Sequence, residues 1–165
     1  MILRELLTKI KGGYPLISPI IVCVCDEGSL MNTTLEETAT RNEVRTWSDE
    51  YTREYADNKV VFVGENSVRT SLDTPVSVGR SRSCDVRIKN ESVSKHHASI
   101  VLDRKRGAYY VVDQDSRNGT YINGTKLAPN ARADIGSGFY VSFGDAVFVF
   151  LDAPTLRKLS RLTKQ

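Results

Sequence analysis

From Lys59 onward, the chain is a series of short apolar or alternating runs that recur about every ten residues, with turn residues between them. This pattern is typical of two sheets packed face to face, so the sequence predicts a mainly β fold built as a two-sheet sandwich. The predicted strands are residues 60–63, 67–72, 76–78, 85–88, 98–103, 108–112, 120–122, 139–143 and 146–151.

The N-terminal part of the chain has a different pattern. Leucine and isoleucine at helical spacing predict a helix over 2–11, which the pair Gly12-Gly13 ends. A β-branched run at 20–24 predicts a strand, and a capping box at 34–37 followed by an aromatic face predicts a second helix. Near the other end, Pro154 opens a last helix with Leu156, Leu159 and Leu162 on one side. We therefore predict an N-terminal extension (1–58, helix-strand-helix), a sandwich domain (59–153) and a C-terminal helix (154–165).

Length and charge limit the function classes. A chain of 165 residues with 40% apolar content can bury one good core. Because no run of about 18 apolar residues is present and the first residues carry an acid and a base, a soluble, cytoplasmic protein without membrane contact is expected.

The charges are unevenly distributed along the chain. Residues 1–58 hold six Lys/Arg against ten Asp/Glu, a net −4, whereas residues 59–165 hold seventeen against ten, a net +7. This imbalance fits an anionic ligand, a contact between the halves, or two differently solvated surfaces.

The cysteines and histidines do not form a metal-binding pattern. Cys23, Cys25 and Cys84 are interpreted as reduced thiols, the first two in a buried strand. A zinc site would need a second matching pair of ligands, and His96 and His97 are the chain's two histidines. No metal and no cofactor are expected.

Three polar clusters separate the predicted strands, around Gly79-Arg80, Ser94-Lys95 and Asn118-Gly119. A surface that binds phosphate needs a guanidinium or ammonium group, hydroxyl donors and backbone N–H groups, because charge-assisted hydrogen bonds are the strong ones. No single element could gather Arg80, Ser94, Lys95 and Asn118, but loops at one end of a sandwich could. The clusters therefore predict a phosphate-binding surface.

In order and spacing, these clusters resemble those of the forkhead-associated (FHA) domain, a β-sandwich of about ten or eleven strands that binds phosphothreonine peptides. The resemblance implies that Arg80 and Ser94 contact the phosphate and that Lys95 assists. It implies that Asn118 grips the peptide backbone. It also implies that Arg117 faces the peptide residue three after the phosphothreonine and favours an acidic side chain there.

Other residues are assigned structural support of this site. By resemblance, His97 hydrogen-bonds within the loops and holds them in shape, and Gly79 and Gly119 belong to the same motifs. Asn123-Gly124 reads by itself as a two-residue hairpin turn.

The sequence argues against two other function classes. It contains no paired carboxylates, Gly-x-Ser-x-Gly elbow, Cys-x5-Arg loop or Walker loop, and His97 is poorly placed to activate Ser94, so no catalytic residue and no enzyme are predicted. Tyr109, Tyr110 and Tyr140 alternate like sheet residues and no recognition motif accompanies them, so nucleic acid is not an expected partner.

The sequence thus predicts a non-catalytic adaptor that binds a phosphothreonine-containing protein in a Ser/Thr kinase pathway, and its compactness resembles that of small bacterial FHA adaptors. The alternative is an interaction or self-association domain whose groove is unused or covered by the extension.

Three interpretations of residues 1–58 remain open. The extension could pack on the sandwich, which the burial needs of its leucine stripe and Trp47 favour. It could form a dimer or partner surface. It could also carry threonines that the domain binds once they are phosphorylated, namely Thr33, Thr34, Thr38 and Thr40.

Overall fold

The computed structural model of the protein describes residues 1–13, 19–23, 57–63 and 74–162, and within these ranges it contains eleven strands and two helices. The helices are α1 (Leu3–Lys11) and α2 (Ala153–Leu162). The strands are β1 (Ile20–Cys23), β2 (Val60–Phe62), β3 (Val76–Gly79), β4 (Val86–Arg87), β5 (Ala98–Asp103), β6 (Ala108–Asp113), β7 (Thr120–Ile122), β8 (Thr125–Lys126), β9 (Arg132–Ile135), β10 (Tyr140–Phe143) and β11 (Ala146–Leu151).

The strands form two sheets. One sheet has six strands in the order β2-β1-β11-β10-β7-β8, and the other has five in the order β4-β3-β5-β6-β9. The described pairings are antiparallel apart from β3 with β4, which run parallel. This arrangement confirms the predicted mainly β fold with two sheets and helical additions.

The inward faces of the two sheets share one hydrophobic core. Ile100 and Val111 point into it from the five-stranded sheet, and Phe143, Phe148 and Phe150 point into it from the six-stranded sheet. Because side chains alternate along a strand, Ile100 is buried while its neighbours Ser99 and Val101 stay half-buried. Each fully buried large apolar side chain contributes about 1.5 to 3 kcal/mol, so this core is a main source of stability.

A second core lies on the other face of the six-stranded sheet, beneath the helices. Leu3, Leu6 and Leu7 of α1 pack there together with Leu156 and Leu159 of α2. Strand β11 is buried over its whole length because its alternate residues face the two cores. The molecule therefore has a helical layer, a six-stranded sheet and a five-stranded sheet.

The predicted elements agree closely with the observed ones where both are described. The predicted ranges 98–103, 120–122 and 146–151 match β5, β7 and β11 to the residue. Strands β8 and β9 were not predicted. In α2, Leu156 and Leu159 are buried as their predicted apolar side requires, whereas Leu162, the last residue of the helix, is 46% exposed. The predicted strand at 67–72, the helix after 34–37 with Trp47, the four threonines of the extension and Cys25 lie outside the described residues.

The strand predicted in the N-terminal extension is part of the six-stranded sheet. β1 lies between β2 and β11, with Ile21 opposite both Val61 and Phe150. Helix α1 packs against α2 and is joined to the sheet by a bridge between Ile2 and Lys59. The division of the chain at residue 58 stays a prediction, but the sheet draws strands from both sides of it.

Several loops meet at one end of the sandwich. The turn between β10 and β11 lies there, and the N–H of Gly144 donates to the carbonyl of Gly119 at 2.9 Å. The backbone N–H of Asp145 donates to Oγ of Ser92 at 2.9 Å, which brings in the loop before β5. β1 runs toward the same end, since Cys23 lies opposite Phe148 whereas Ile20 lies opposite Leu151.

Candidate functional site

The loop that follows β3 is paired through its backbone with the loop that precedes β5. The N–H of Arg80 donates to the carbonyl of Ser94 at 2.9 Å, and the N–H of Ser81 donates to the carbonyl of Lys95 at 3.1 Å. These two bonds bring Arg80 next to Ser94 and Ser81 next to Lys95, although 14 positions separate the members of each pair along the chain.

Gly79 makes this close approach possible. A Cβ atom at position 79 would overlap the carbonyl oxygen of Lys95 and would lie 2.9 Å from Sγ of Cys84. Real Cβ atoms do not come so close to a backbone carbonyl, so a larger residue would push the two loops apart. The glycine of the Gly79-Arg80 pair therefore has a packing reason that the sequence alone did not give.

The Arg80 side chain is exposed but anchored. Its Nε donates to the carbonyl of Val93 at 3.2 Å, and in the described part of the chain its Nη nitrogens have no hydrogen-bond partner. Lys95 is exposed beside it. A guanidinium held by one nitrogen can present its other two to an anion in a fixed geometry.

Ser94 connects these two loops to a third loop, residues 114–119, which lies between β6 and β7. It is half-buried, and its Oγ accepts a hydrogen bond from the backbone N–H of Arg117 at 3.0 Å. A hydroxyl that accepts in this way still has its own proton to donate. The Arg117 side chain is exposed.

His97 lies beneath the loops and is fully buried. Its Nδ1 accepts a hydrogen bond from the backbone N–H of Ser94 at 3.0 Å, and its Nε2 is 3.0 Å from the carbonyl of Gly119. Since Nδ1 accepts, the proton of the neutral ring sits on Nε2 and is donated to Gly119. Burial lowers the pKa of His97 below its ordinary value. The ring also meets Phe143 edge to face, at 5.7 Å between centroids.

His96 points elsewhere and is exposed, with its Nδ1 at 3.7 Å from Sγ of Cys84. Cys84 is buried and reduced, and burial raises the pKa of its thiol. Within the described residues, no group of three or more His, Cys, Asp or Glu side chains is placed to hold a metal ion.

A buried carboxylate shapes the third loop, and the sequence reasoning missed it. Asp113 accepts hydrogen bonds from the backbone N–H of Ser116 at 3.0 Å and from the hydroxyls of Ser116 and Thr120 at 2.6 Å each. Burial alone would raise the pKa of Asp113, but these hydrogen bonds outweigh it and the pKa lies below its ordinary value. The signal was present, because aspartate side chains commonly hydrogen-bond to nearby backbone groups in turns.

Asn118 lies at the tip of this loop and is exposed. Its Nδ2 donates to the carbonyl of Ser92 at 2.7 Å, which links the third loop to the segment before Ser94. The next residue, Gly119, has a φ of +88°, and its N–H donates to Oγ of Ser116 at 3.0 Å. A positive φ favours glycine here, since other residues rarely adopt it.

The Asn123-Gly124 pair lies at the other end of β7, away from Arg80. Both residues have positive φ, 48° and 81°, and they join β7 to β8 as the predicted two-residue hairpin turn. Oδ1 of Asn123 also accepts the N–H of Tyr140 at 2.9 Å. The structure thus brings together Gly79, Arg80, Ser94, Lys95, His97, Arg117, Asn118 and Gly119, whereas Asn123 and Gly124 support the sheet at a distance.

None of the helices in the described ranges is long and apolar enough to span a membrane.

Comparisons with known proteins agree with this geometry. The FHA domain family matches residues 76–144. The chain is 31% identical over 131 residues to angiogenic factor with G patch and FHA domains 1 of Mus musculus, an alignment that covers 76% of this chain and 18% of that protein. It is 37% identical over 97 residues to the glycogen accumulation regulator GarA of Mycolicibacterium smegmatis, covering 58% of each. The chain thus spans less than a fifth of the mouse protein.

Among solved structures, an engineered FHA domain with a Myc-pTBD peptide superposes with a TM-score of 0.53. The sequence identity is 14%, and the alignment covers 86% of this chain and 96% of the other, so the likeness is one of fold. The residues that the family matches include all three loops of the candidate site. Through residues 76–144 the chain belongs to the FHA domain family.

Proposed function

We propose that the protein is a phosphothreonine-peptide binding module in which Arg80, Ser94 and Lys95 hold the phosphate. The observation that carries this proposal is the backbone pairing of Arg80 with Ser94 and of Ser81 with Lys95, which joins the two loops that carry the guanidinium, the hydroxyl and the ammonium. Such a set of donors suits a dianionic phosphate.

Hydrogen bonds within the site favour binding over catalysis. A nucleophilic serine needs a base at its hydroxyl, but Nδ1 of His97 accepts the backbone N–H of Ser94 and Oγ of Ser94 faces the N–H of Arg117. His97 therefore organises the loop rather than activating the hydroxyl. A non-catalytic role is in keeping with this arrangement.

The third loop is the proposed grip on the peptide. Asn118 is fixed by its bond from Nδ2 to Ser92, which leaves the amide oxygen to accept an N–H of a bound peptide. Arg117, anchored through its backbone to Ser94, is the proposed contact for an acidic residue three positions after the phosphothreonine.

The number of proposed contacts gives an order-of-magnitude value for the affinity. Three or four charge-assisted contacts at about 1.5 to 3 kcal/mol each, less the cost of ordering a flexible peptide, correspond to a Kd on the order of micromolar. Binding of that strength is reversible, which suits an adaptor that responds to a Ser/Thr kinase in the cytoplasm. The relative GarA is named as a regulator, which is in keeping with such a role.

The test is a titration of the whole chain against a degenerate phosphothreonine peptide library, with phosphoserine and unphosphorylated libraries as controls. We expect binding to the phosphothreonine library that Arg80→Ala lowers at least about a hundredfold, since it removes the bidentate contact. Lys105→Ala is the matched control, because it removes one positive charge from an exposed loop at the opposite end of β5. Unchanged affinity in a folded Arg80→Ala variant would refute the proposal.

A further inference from the structure

The loop that carries Arg80 contains two serines whose hydroxyls are hydrogen-bonded to each other. Oγ of Ser81 and Oγ of Ser83 are 2.9 Å apart, and the N–H of Ser83 donates to Oγ of Ser81 at 3.2 Å. Ser83 is exposed, and the turn around it is closed by one long bond, 3.3 Å from the N–H of Cys84 to the carbonyl of Ser81. The Ser83 hydroxyl is therefore accessible at the rim of the candidate phosphate site.

The charges around Ser83 are those that an arginine-directed protein kinase recognises. Arg80 stands three residues before it and Arg82 directly before it, and both side chains are exposed. Acidic pockets on a kinase can pair with guanidinium groups at such positions.

Ser160 offers an instructive comparison. Arg157 and Lys158 stand three and two residues before it, so its linear sequence has a similar basic character. Its side chain is 3% exposed, however, and its hydroxyl donates to the carbonyl of Arg157 at 2.8 Å within α2. The folded chain therefore exposes Ser83 and buries Ser160.

We infer that Ser83 is a phosphorylation site for an arginine-directed Ser/Thr kinase, and that its phosphate closes the neighbouring site to phosphopeptides. In the reaction, Oγ of Ser83 forms a bond to the γ-phosphorus of a nucleoside triphosphate as the bond from that phosphorus to the bridging oxygen breaks. The nucleoside diphosphate leaves, and the hydroxyl proton passes to the base of the kinase.

The closing effect rests on the proposed function and follows from position. A phosphoserine carries a charge of about −1.5 to −2 near neutral pH and three strong acceptor oxygens. Through Ser81, the Ser83 hydroxyl lies next to the paired segment in which Ser81 bonds to Lys95 and Arg80 bonds to Ser94. The new phosphate is therefore tethered beside the cations that an incoming phosphate needs, and it competes for them at high effective concentration.

The experiment treats the whole chain with the catalytic subunit of cyclic-AMP-dependent protein kinase and ATP, then locates the phosphate by peptide mass spectrometry. We expect phosphate on Ser83 in the wild type and in Ser160→Ala, and none there in Ser83→Ala. Affinity for the phosphothreonine library should fall about tenfold or more on treatment of the wild type, and Ser83→Ala should keep its affinity through the same treatment.

Two results would overturn the inference. One is a folded chain that carries no phosphate on Ser83 while a synthetic peptide of residues 77–88 is phosphorylated by the same enzyme. The other is full phosphorylation of Ser83 with unchanged affinity. Absence of phosphopeptide binding before treatment would instead refute the proposed function and with it the closing effect, while the mass of the treated chain would still decide whether Ser83 is a substrate.

Discussion

The backbone N–H of Ser94 donates to Nδ1 of His97 at 3.0 Å, and this bond fixes the proton of the buried imidazole on Nε2, where it reaches Gly119. One neutral side chain thereby joins the loop that carries Ser94 to the loop that carries Asn118. A protonated ring would set a second N–H against that of Ser94 and would break the link.

Stability should therefore fall in mild acid through His97. Its pKa in the folded protein lies below the ordinary value of 6.5, because burial disfavours the charged ring. The unfolded chain binds the proton first, so the loss begins as the pH falls through about 6.5 and is complete below the folded pKa. The measurement is the urea midpoint at intervals from pH 7.5 to pH 4.5.

His97→Gln is the variant that tests this assignment. It should lower the free energy of unfolding by about 2 to 4 kcal/mol at pH 7.5, since two buried hydrogen bonds lose their geometry. It should also flatten the pH dependence just below pH 6.5, and His96→Ala, which removes the exposed neighbouring ring, is the matched control. A pH profile that His97→Gln does not alter would contradict the role of the buried ring.

Asp113→Asn should loosen the third loop. Asp113 accepts from two hydroxyls and one N–H, and an amide in its place supplies one oxygen and no charge. We expect a loss of about 2 to 3 kcal/mol in the free energy of unfolding at pH 7, measured by urea denaturation. Asp115→Asn, two positions on, is the control because Asp115 is exposed and its φ of 54° suits asparagine.

The contribution of Asp113 also has its own pH window. Because its folded pKa is lowered from 3.8, the stability that it gives is present at neutral pH and is lost as the pH falls below that value. If Asp113→Asn and Asp115→Asn were equally stable at pH 7, the hydrogen-bond network would not have the weight assigned to it here.

Gly79→Ala should separate the two loops that are proposed to hold the phosphate. The added methyl group overlaps the carbonyl of Lys95, a backbone atom that cannot rotate away. We expect a destabilisation of about 1 to 3 kcal/mol and a loss of phosphopeptide affinity, measured by urea denaturation and by titration.

Gly12→Ala is the control for a glycine change, since the nearest atom to its added methyl group would be the carbonyl oxygen of Lys9 at 3.4 Å. Gly12 has a φ of −79°, which alanine adopts without strain. If Gly79→Ala kept the affinity and the stability of the Gly12→Ala variant, the close approach of the two loops would not have the importance assigned to it here.

Removal of residues 1–58 should unfold the domain rather than trim it. The deletion takes β1 from between β2 and β11, and it takes the three leucines of α1 from the second core. We expect the cooperative transition seen by circular dichroism to be lost. An excision of residues 26–56 bridged by a short Gly-Asn turn leaves β1 and β2 in the chain and should retain the transition. A stable, folded fragment of residues 59–165 would contradict this.

The elements that the sequence predicted well are those whose pattern is local. Alternation along β5 and the turn at Asn123-Gly124 depend on near neighbours, so both could be predicted. Strand β9 could not be predicted, because its outward residues are charged and are stabilised by contacts with other segments. Cζ of Arg132 lies 4.0 Å from the ring centroid of Tyr110, and Asp134 forms an ion pair with Arg106. The place of β1 between β2 and β11 is a matter of strand order, which no local pattern encodes.

For the site, the order and spacing of three polar clusters were enough to predict that Arg80, Ser94 and Asn118 lie at one end of the sandwich. What the clusters could not reveal is how the loops are held together. The overlap that excludes a side chain at Gly79 involves the carbonyl of Lys95, sixteen positions further along the chain. Contacts of this kind become visible only when the chain is folded.

Strand β11 has one face in each of the two cores and begins at the turn where Asp145 meets Ser92. The helical layer and the loop end are consequently parts of one cooperative unit, since neither core can melt while the other keeps β11 in place. Amide protons of α1 and of the strands beside the loops should then exchange with solvent through the same global opening. Damage to the helical layer should therefore also disorder the loops that carry Arg80, Ser94 and Asn118.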